Sequence, residues 1–163
     1  MAEPRSRTFS WSDPAETLAG ITTLPGLEAL ERTLGGELPY PPIAHLMGMR
    51  LVQVARGRVV WEALPGEEHY NPIGTVHAGF ATTLLDSAMG TAFVSTADAG
   101  TRWTTLELKA NFTRAITAET GLVRCTGTVI HPGRTVVTTE ARLEDTADRL
   151  LAHATSTILV LAG

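Results

Sequence analysis

From Asn71 to Gly90 the chain reads NPIGTVHAGFATTLLDSAMG, the start of the only long helical pattern in a stretch otherwise made of alternating segments. Ala81, Leu84, Leu85, Ala88, Met89 and Ala92 recur at helical spacing, which predicts an amphipathic helix over about residues 77–96. The rest of its surface is Thr82, Thr83, Asp86, Ser87, Gly90 and Thr91, small residues where a solvated face would carry long lysines and glutamates. Gly90 costs about 1 kcal/mol relative to alanine inside a helix. A helix with one apolar stripe and a second face of small groups is expected to be packed on both sides. The sheet covers the first side, and the second implies a partner subunit.

The segments around this helix read as strands, and residues 49–55, 58–64 and 105–112 alternate with a period of two. Residues 49–55 and 58–64 are joined by Arg56-Gly57, a hairpin signal. In the strand beginning at Thr105, alternation puts Leu106, Leu108, Ala110 and Phe112 on one face and Thr105, Glu107, Lys109 and Asn111 on the other. Residues 121–130 and 135–144 flank a turn at His131-Pro132-Gly133-Arg134, and residues 149–161 form a last, more apolar strand. The expected class is α+β, an antiparallel sheet around one helix, over residues 46–163.

Residues 1–45 read as a helical extension packed on that domain. Asp13-Pro14-Ala15-Glu16 has the pattern of a capped helix start with a capping box, followed by Leu18, Ile21 and Leu24. A second helix carries Leu27, Leu30 and Leu34 and ends at Gly35-Gly36, and Pro39, Pro41 and Pro42 make a stiff link. The first residues hold arginines but no apolar stretch, so they are not a secretory signal, and no apolar run approaches a membrane span. The lone Cys125 excludes an intrachain disulfide and fits a reducing compartment. Seventeen acidic against thirteen basic residues argue against nucleic-acid binding. A cytoplasmic protein with neither a nucleic-acid nor a membrane partner is expected.

The chemistry concentrates at the helix start. Beyond His77, the Ala78 and Gly79 N–H groups lack intrahelical acceptors and sit at the positive end of the helix dipole, where a developing oxyanion is stabilised. The alternative is an ordinary helix start beside a histidine. Asp86 lies nine residues after His77, about 13 Å along the axis and on the opposite side. The two cannot converge on one atom within a chain, so joint action requires the counterpart from a second subunit, as in a two-fold dimer with antiparallel helices. Asp86 also reads as a residue on an exposed face. Asn71, ahead of Pro72 and Gly74, is in isolation a turn residue; its functional reading is an amide holding substrate or water. Thr105 is either a strand hydroxyl or a group orienting water toward Asp86. Arg134 is either a solvated turn charge or a phosphate ligand. His45, His69, His131 and His153 show no metal-ligand spacing, so no metal site is expected. There is no Gly-x-Ser-x-Gly elbow and no phosphate-binding loop.

Taken together, Asn71-Pro72-x-Gly74-x-Val76-His77-Ala78-Gly79, Leu85-Asp86-Ser87-Ala88, the strand Thr104 to Phe112 and the turn His131 to Thr135 resemble the hotdog-fold acyl-CoA thioesterases of the phenylacetic-acid-degradation (PaaI-like) group. The similarity spans about residues 43 to 161. It implies a curved sheet wrapped around the long helix, dimers with a continuous sheet and active sites at the interface, and often tetramers. It implies Asp86 as general base or nucleophile, the Ala78 N–H polarising the thioester carbonyl, Asn71 binding substrate or water and Thr105 assisting. Gly74, Gly79 and Arg134 fall to substrate binding, and coenzyme A is part of the substrate, with no cofactor consumed. Where the family often has His-Gly-Gly, this chain has His77-Ala78-Gly79, which keeps the N–H and excludes only a positive φ at residue 78. Two rival functions on this scaffold are hydration of enoyl thioesters and non-enzymatic acyl-CoA binding.

Overall fold

The helix expected over 77–96 forms as Ala78–Val94, and a computed structural model describes it within residues 3–161. Residues 1, 2, 162 and 163, the outer ends of the extension and domain drawn from the sequence, lie outside the described residues. Three helices precede the sheet: α1 (Pro14–Thr23), α2 (Gly26–Leu34) and α3 (Pro42–Met47). Then come β1 (Met49–Ala55), β2 (Arg58–Ala63), the long helix as α4 (Ala78–Val94), β3 (Arg102–Phe112), β4 (Val123–Pro132), β5 (Val136–Asp145) and β6 (Leu150–Leu161). The strands form one curved antiparallel sheet in the order β1-β2-β4-β5-β6-β3, with α4 packed on it, which is the hotdog fold.

The predicted stripe on α4 is the centre of the core: Ala81, Leu84, Leu85, Ala88, Met89 and Ala92 are all buried. They meet Val59, Trp61, Cys125, Leu143 and Ile158 from the sheet. The helix comes closest at β4, where any side chain on Gly127 would run into the Ala88 carbonyl. Gly127→Ala should therefore force α4 off the sheet and cost about 1–3 kcal/mol. Chemical denaturation checks this: the midpoint should fall, and an unchanged midpoint would show that α4 is not seated there.

On the other face of β1, β2 and β4 a buried carboxylate is held between two cations. Glu62 is 5 % exposed and accepts from Arg124 and Arg50, each at 2.8 Å. The Arg124 hydrogen bond, helped by Arg50 and opposed by burial, holds the Glu62 carboxyl below the usual range. A carboxyl whose folded-state pKa is depressed contributes stability that is complete above its unfolded pKa and is lost as pH falls through the folded value. Replacing Glu62 with glutamine should thus lower stability at neutral pH by about 1 kcal/mol, since both arginines keep solvated ends. The deficit against wild type should shrink below about pH 4, measured by denaturation across pH.

Strand β3 departs from simple alternation. Thr105 pairs with Ile158 and Glu107 with Thr157, so Leu106 is an extra residue in a bulge. The bulge resets the phase. Trp103 and Thr105 are half-buried on the same side as Leu108 and Ala110, whereas Leu106 is 55 % exposed on the bulge; Phe112 keeps the phase of Ala110 but is 50 % exposed at the strand end. Thr105 therefore faces inward, opposite to the side that strict alternation assigns it.

The N-terminal residues pack as helices, with two local differences. The Asp13 carboxylate caps the Ala15 N–H at 2.9 Å, while the Glu16 N–H donates to the Asp13 carbonyl; no reciprocal bond from the Glu16 carboxylate forms among the described residues. The stiff link expected at Pro39 to Pro42 is partly helical, because Pro42 sits where α3 begins and lacks only an N–H that no helix start uses. Helix α2 abuts the end of α4, with the Gly26 N–H donating to the Ala97 carbonyl at 3.0 Å. Ahead of α1 the chain crosses a 3-10 turn, Glu67–His69, through the Arg5–Glu67 and Arg7–Glu68 ion pairs.

Candidate active site

The approach to α4 is fixed by its own side chains. The Asn71 Oδ1 accepts from the Ile73 and Thr75 N–H groups at 3.0 and 3.2 Å, and its Nδ2 donates to the Thr75 Oγ1 at 3.0 Å. Gly74 reverses the chain with φ +84°, a conformation open to glycine. Both ends of the Asn71 amide are thus engaged inside the turn. The turn is anchored on both sides, since the Val76 N–H donates to the Ile116 carbonyl at 2.8 Å and the His77 N–H to the His69 carbonyl at 2.7 Å.

His77 is the N-cap of α4, and its Nδ1 accepts from the Gly79 N–H at 2.8 Å. That bond requires Nδ1 to be unprotonated. It also explains glycine at position 79, where a Cβ would lie 2.9 Å from Nδ1. The sequence offers two free amides here, and the cap consumes one of them. The Ala78 N–H meets no acceptor among the described residues, and Ala78 is exposed at the first helical position with no positive φ. The alanine in place of the family's common glycine therefore fits without strain. The Ala78 amide opens on a cleft of about 300 Å³ shared with Asn71, His77, Phe112, Arg114 and Ile116.

Asp86 opens elsewhere. Its Oδ1 accepts a 3.2 Å hydrogen bond from the Thr105 hydroxyl, a contact made possible by the β3 bulge. The two residues line a cleft of about 210 Å³ with Pro41, Met49, Trp61, Gly90, Thr91 and Trp103. Part of the small-residue face of α4 is accordingly packed by this chain's own tryptophans. The Trp61 Nε1 donates to the Thr91 Oγ1 at 2.9 Å, and Trp103 lies on Gly90.

The site residues read from the sequence thus fall into three places. Asn71, Gly74, His77, Ala78 and Gly79 gather at the start of α4; Asp86 and Thr105 pair at its middle; the two clefts share no residue. Arg134 is exposed on the β4–β5 turn, at the end of the sheet where the Gly57 carbonyl accepts from Val129 and the Gly57 N–H donates to Ser95 beyond the far end of α4. Several lining groups escaped the sequence reading. Arg114 and Ile116 lie in a loop without pattern, Trp103 was hidden by the bulge, and Pro41 belongs to the extension. Strand β2 is buried from Val59 to Ala63 rather than alternating as expected over 58–64, so its sequence pattern did not single out Trp61.

A curved sheet around one helix is the hotdog architecture, and an acid held by a hydroxyl and a free amide at a helix N-terminus are groups that thioester cleavage can use. The thioesterase superfamily model matches residues 73–152, just under half of the chain, and this match supports a thioester hydrolase. The chain is 26% identical over 118 residues to the 1,4-dihydroxy-2-naphthoyl-CoA hydrolase of Listeria monocytogenes serotype 1/2a (strain 10403S), covering 72% of this chain and 94% of that one. Among solved structures it is similar to a phenylacetic-acid-degradation-related protein of Ralstonia eutropha JMP134, described as a candidate thioesterase, with 29% identity, TM-score 0.73 and coverage of 80% and 98%. A conserved protein of Pseudomonas aeruginosa is also similar, with 30% identity, TM-score 0.70 and coverage of 75% and 95%.

Proposed function

We propose that this protein hydrolyses acyl-CoA thioesters, releasing the free acid and coenzyme A, at sites completed by two copies of the chain. The observation that carries the reading is the division of the groups: one cleft holds the acid, the other the free amide, and neither alone contains both. A two-fold axis beside α4 with antiparallel helices brings the Asp86 cleft of one copy to the Ala78 cleft of the other. Strand β3 suits this, because it ends the sheet with unpaired backbone groups and exposes Leu106 and Phe112. Antiparallel pairing of β3 with its copy continues the sheet, and such dimers pair again into tetramers. A CoA hydrolase among the relatives supports the substrate class.

In this mechanism the thioester carbonyl oxygen accepts from the Ala78 N–H. Asp86 either removes a proton from the attacking water or attacks the carbonyl to form a mixed anhydride that water then cleaves. The Thr105 hydroxyl holds Asp86 toward the carbonyl. Asn71 and Gly74 shape the turn that lines the substrate, and His77 takes the Gly79 N–H so that the Ala78 N–H alone points outward. The thiolate of coenzyme A leaves, and Arg134 is assigned to its phosphates. Residues 1–45 form the extension and 46–163 the catalytic domain of this scheme.

Thiol release from a panel of acyl-CoAs, with an acyl carrier-protein thioester beside it, tests the reading. Release from acyl-CoA supports it. Tight acyl-CoA binding without free thiol, or a change in enoyl absorbance without it, would favour one of the rival functions instead.

A further inference from the structure

The acid-side cleft ends in two indoles, and their arrangement bears on which acyl groups fit. Asp86 and Gly90 are four residues apart on α4, so they stack on one face a turn from each other. An acyl group whose carbonyl carbon lies at Asp86 and which follows this face reaches Gly90 next. There Trp103 blocks the way: a Cβ on Gly90 would be only 3.1 Å from the Trp103 Cη2. Trp103 is itself held edge-on to Phe93, with ring centroids 5.6 Å apart. Trp61 closes the adjoining wall, fixed by its 2.9 Å bond to Thr91 and by Tyr40 of the extension at 5.9 Å. Pro41, next in the chain, lines the same cleft.

The cleft volume is about 210 Å³. An apolar cavity of about 150 Å³ takes a benzene ring, so this cleft has room for about one ring. It also falls below the roughly 300 Å³ where pockets for drug-sized ligands begin. We propose that Trp103, seated on Gly90, sets an upper limit on the acyl group at the Asp86 site, admitting a compact group of about one ring or six carbons and excluding longer chains. The inference rests on the functional reading above. Trp103 is a specificity-determining residue in it, and the extension contributes Pro41 to the lining, with Tyr40 packed against Trp61.

The test compares kcat/KM for butanoyl-, hexanoyl-, octanoyl- and decanoyl-CoA in wild type, Trp103→Ala, Trp103→Phe and Gly90→Ala. Wild type should lose about tenfold or more between hexanoyl and decanoyl. Trp103→Ala should abolish most of that loss, Trp103→Phe should retain it, and Gly90→Ala should move the fall toward butanoyl. Because the readout is a ratio within each variant, a general loss of stability does not mimic it. Wild type that cleaves decanoyl-CoA as well as butanoyl-CoA, or an active Trp103→Ala with the wild-type ratio, overturns the inference and leaves the functional reading intact. If wild type releases thiol from none of them, that reading fails. Titrating tryptophan emission with the free C4 to C10 acids then still measures the cleft, and equal affinity across the series overturns the size limit.

Discussion

Asp86→Asn should lose most thioester hydrolysis, about 100-fold or more in kcat, while folding normally. Asparagine has nearly the volume of aspartate and can still accept from the Thr105 hydroxyl, so the 3.2 Å contact and the packing of α4 survive. What disappears is the group that can take a proton or attack the carbonyl. Asp86 is only half-buried, so the substitution leaves no buried orphan to destabilise the fold. The measurement is steady-state thiol release beside a thermal melt. A variant with wild-type turnover would remove Asp86 from the mechanism.

Ala78→Pro should reduce kcat by about 100- to 1000-fold, the usual effect of deleting one oxyanion donor. The substitution is unusually specific here. Residue 78 is the first helical position, where proline is well tolerated and its missing N–H breaks no helix bond. The residue before a proline is restricted to extended angles, and His77 already has φ −61° and ψ 140°. The melting temperature should therefore hardly move while the oxyanion donor vanishes. Loss of activity accompanied by unfolding would indicate a structural role, and full activity would place the oxyanion elsewhere.

Much of the fold is written in local patterns. The α4 stripe, the Arg56-Gly57 hairpin and the turn between β4 and β5 each depend on a few neighbouring residues, and each forms where those residues place it. The division of Asp86 from Ala78 was equally legible, because helix geometry alone separates positions on one helix. The β3 bulge was not. Nothing in Thr104-Thr105-Leu106-Glu107 marks an extra residue, since the shift arises from pairing with Ile158 and Thr157 some fifty positions away. The inward turn of Thr105 and Trp103 follows from that pairing. The His77 cap was hidden for a different reason: its bond to Gly79 depends on a side-chain rotamer, and glycine at 79 takes its meaning from the ring beside it.

The central claim is that each site joins Asp86 of one copy to Ala78 of another, and a mixed dimer tests it most directly. Asp86→Asn and Ala78→Pro chains, each inactive alone, are co-expressed with different tags and the doubly tagged dimer is isolated. Such a dimer has one site with both groups intact and one with neither. The account predicts about half the wild-type turnover per dimer. If each chain holds a complete site of its own, the mixed dimer stays as inactive as its parents, and that result would contradict the account.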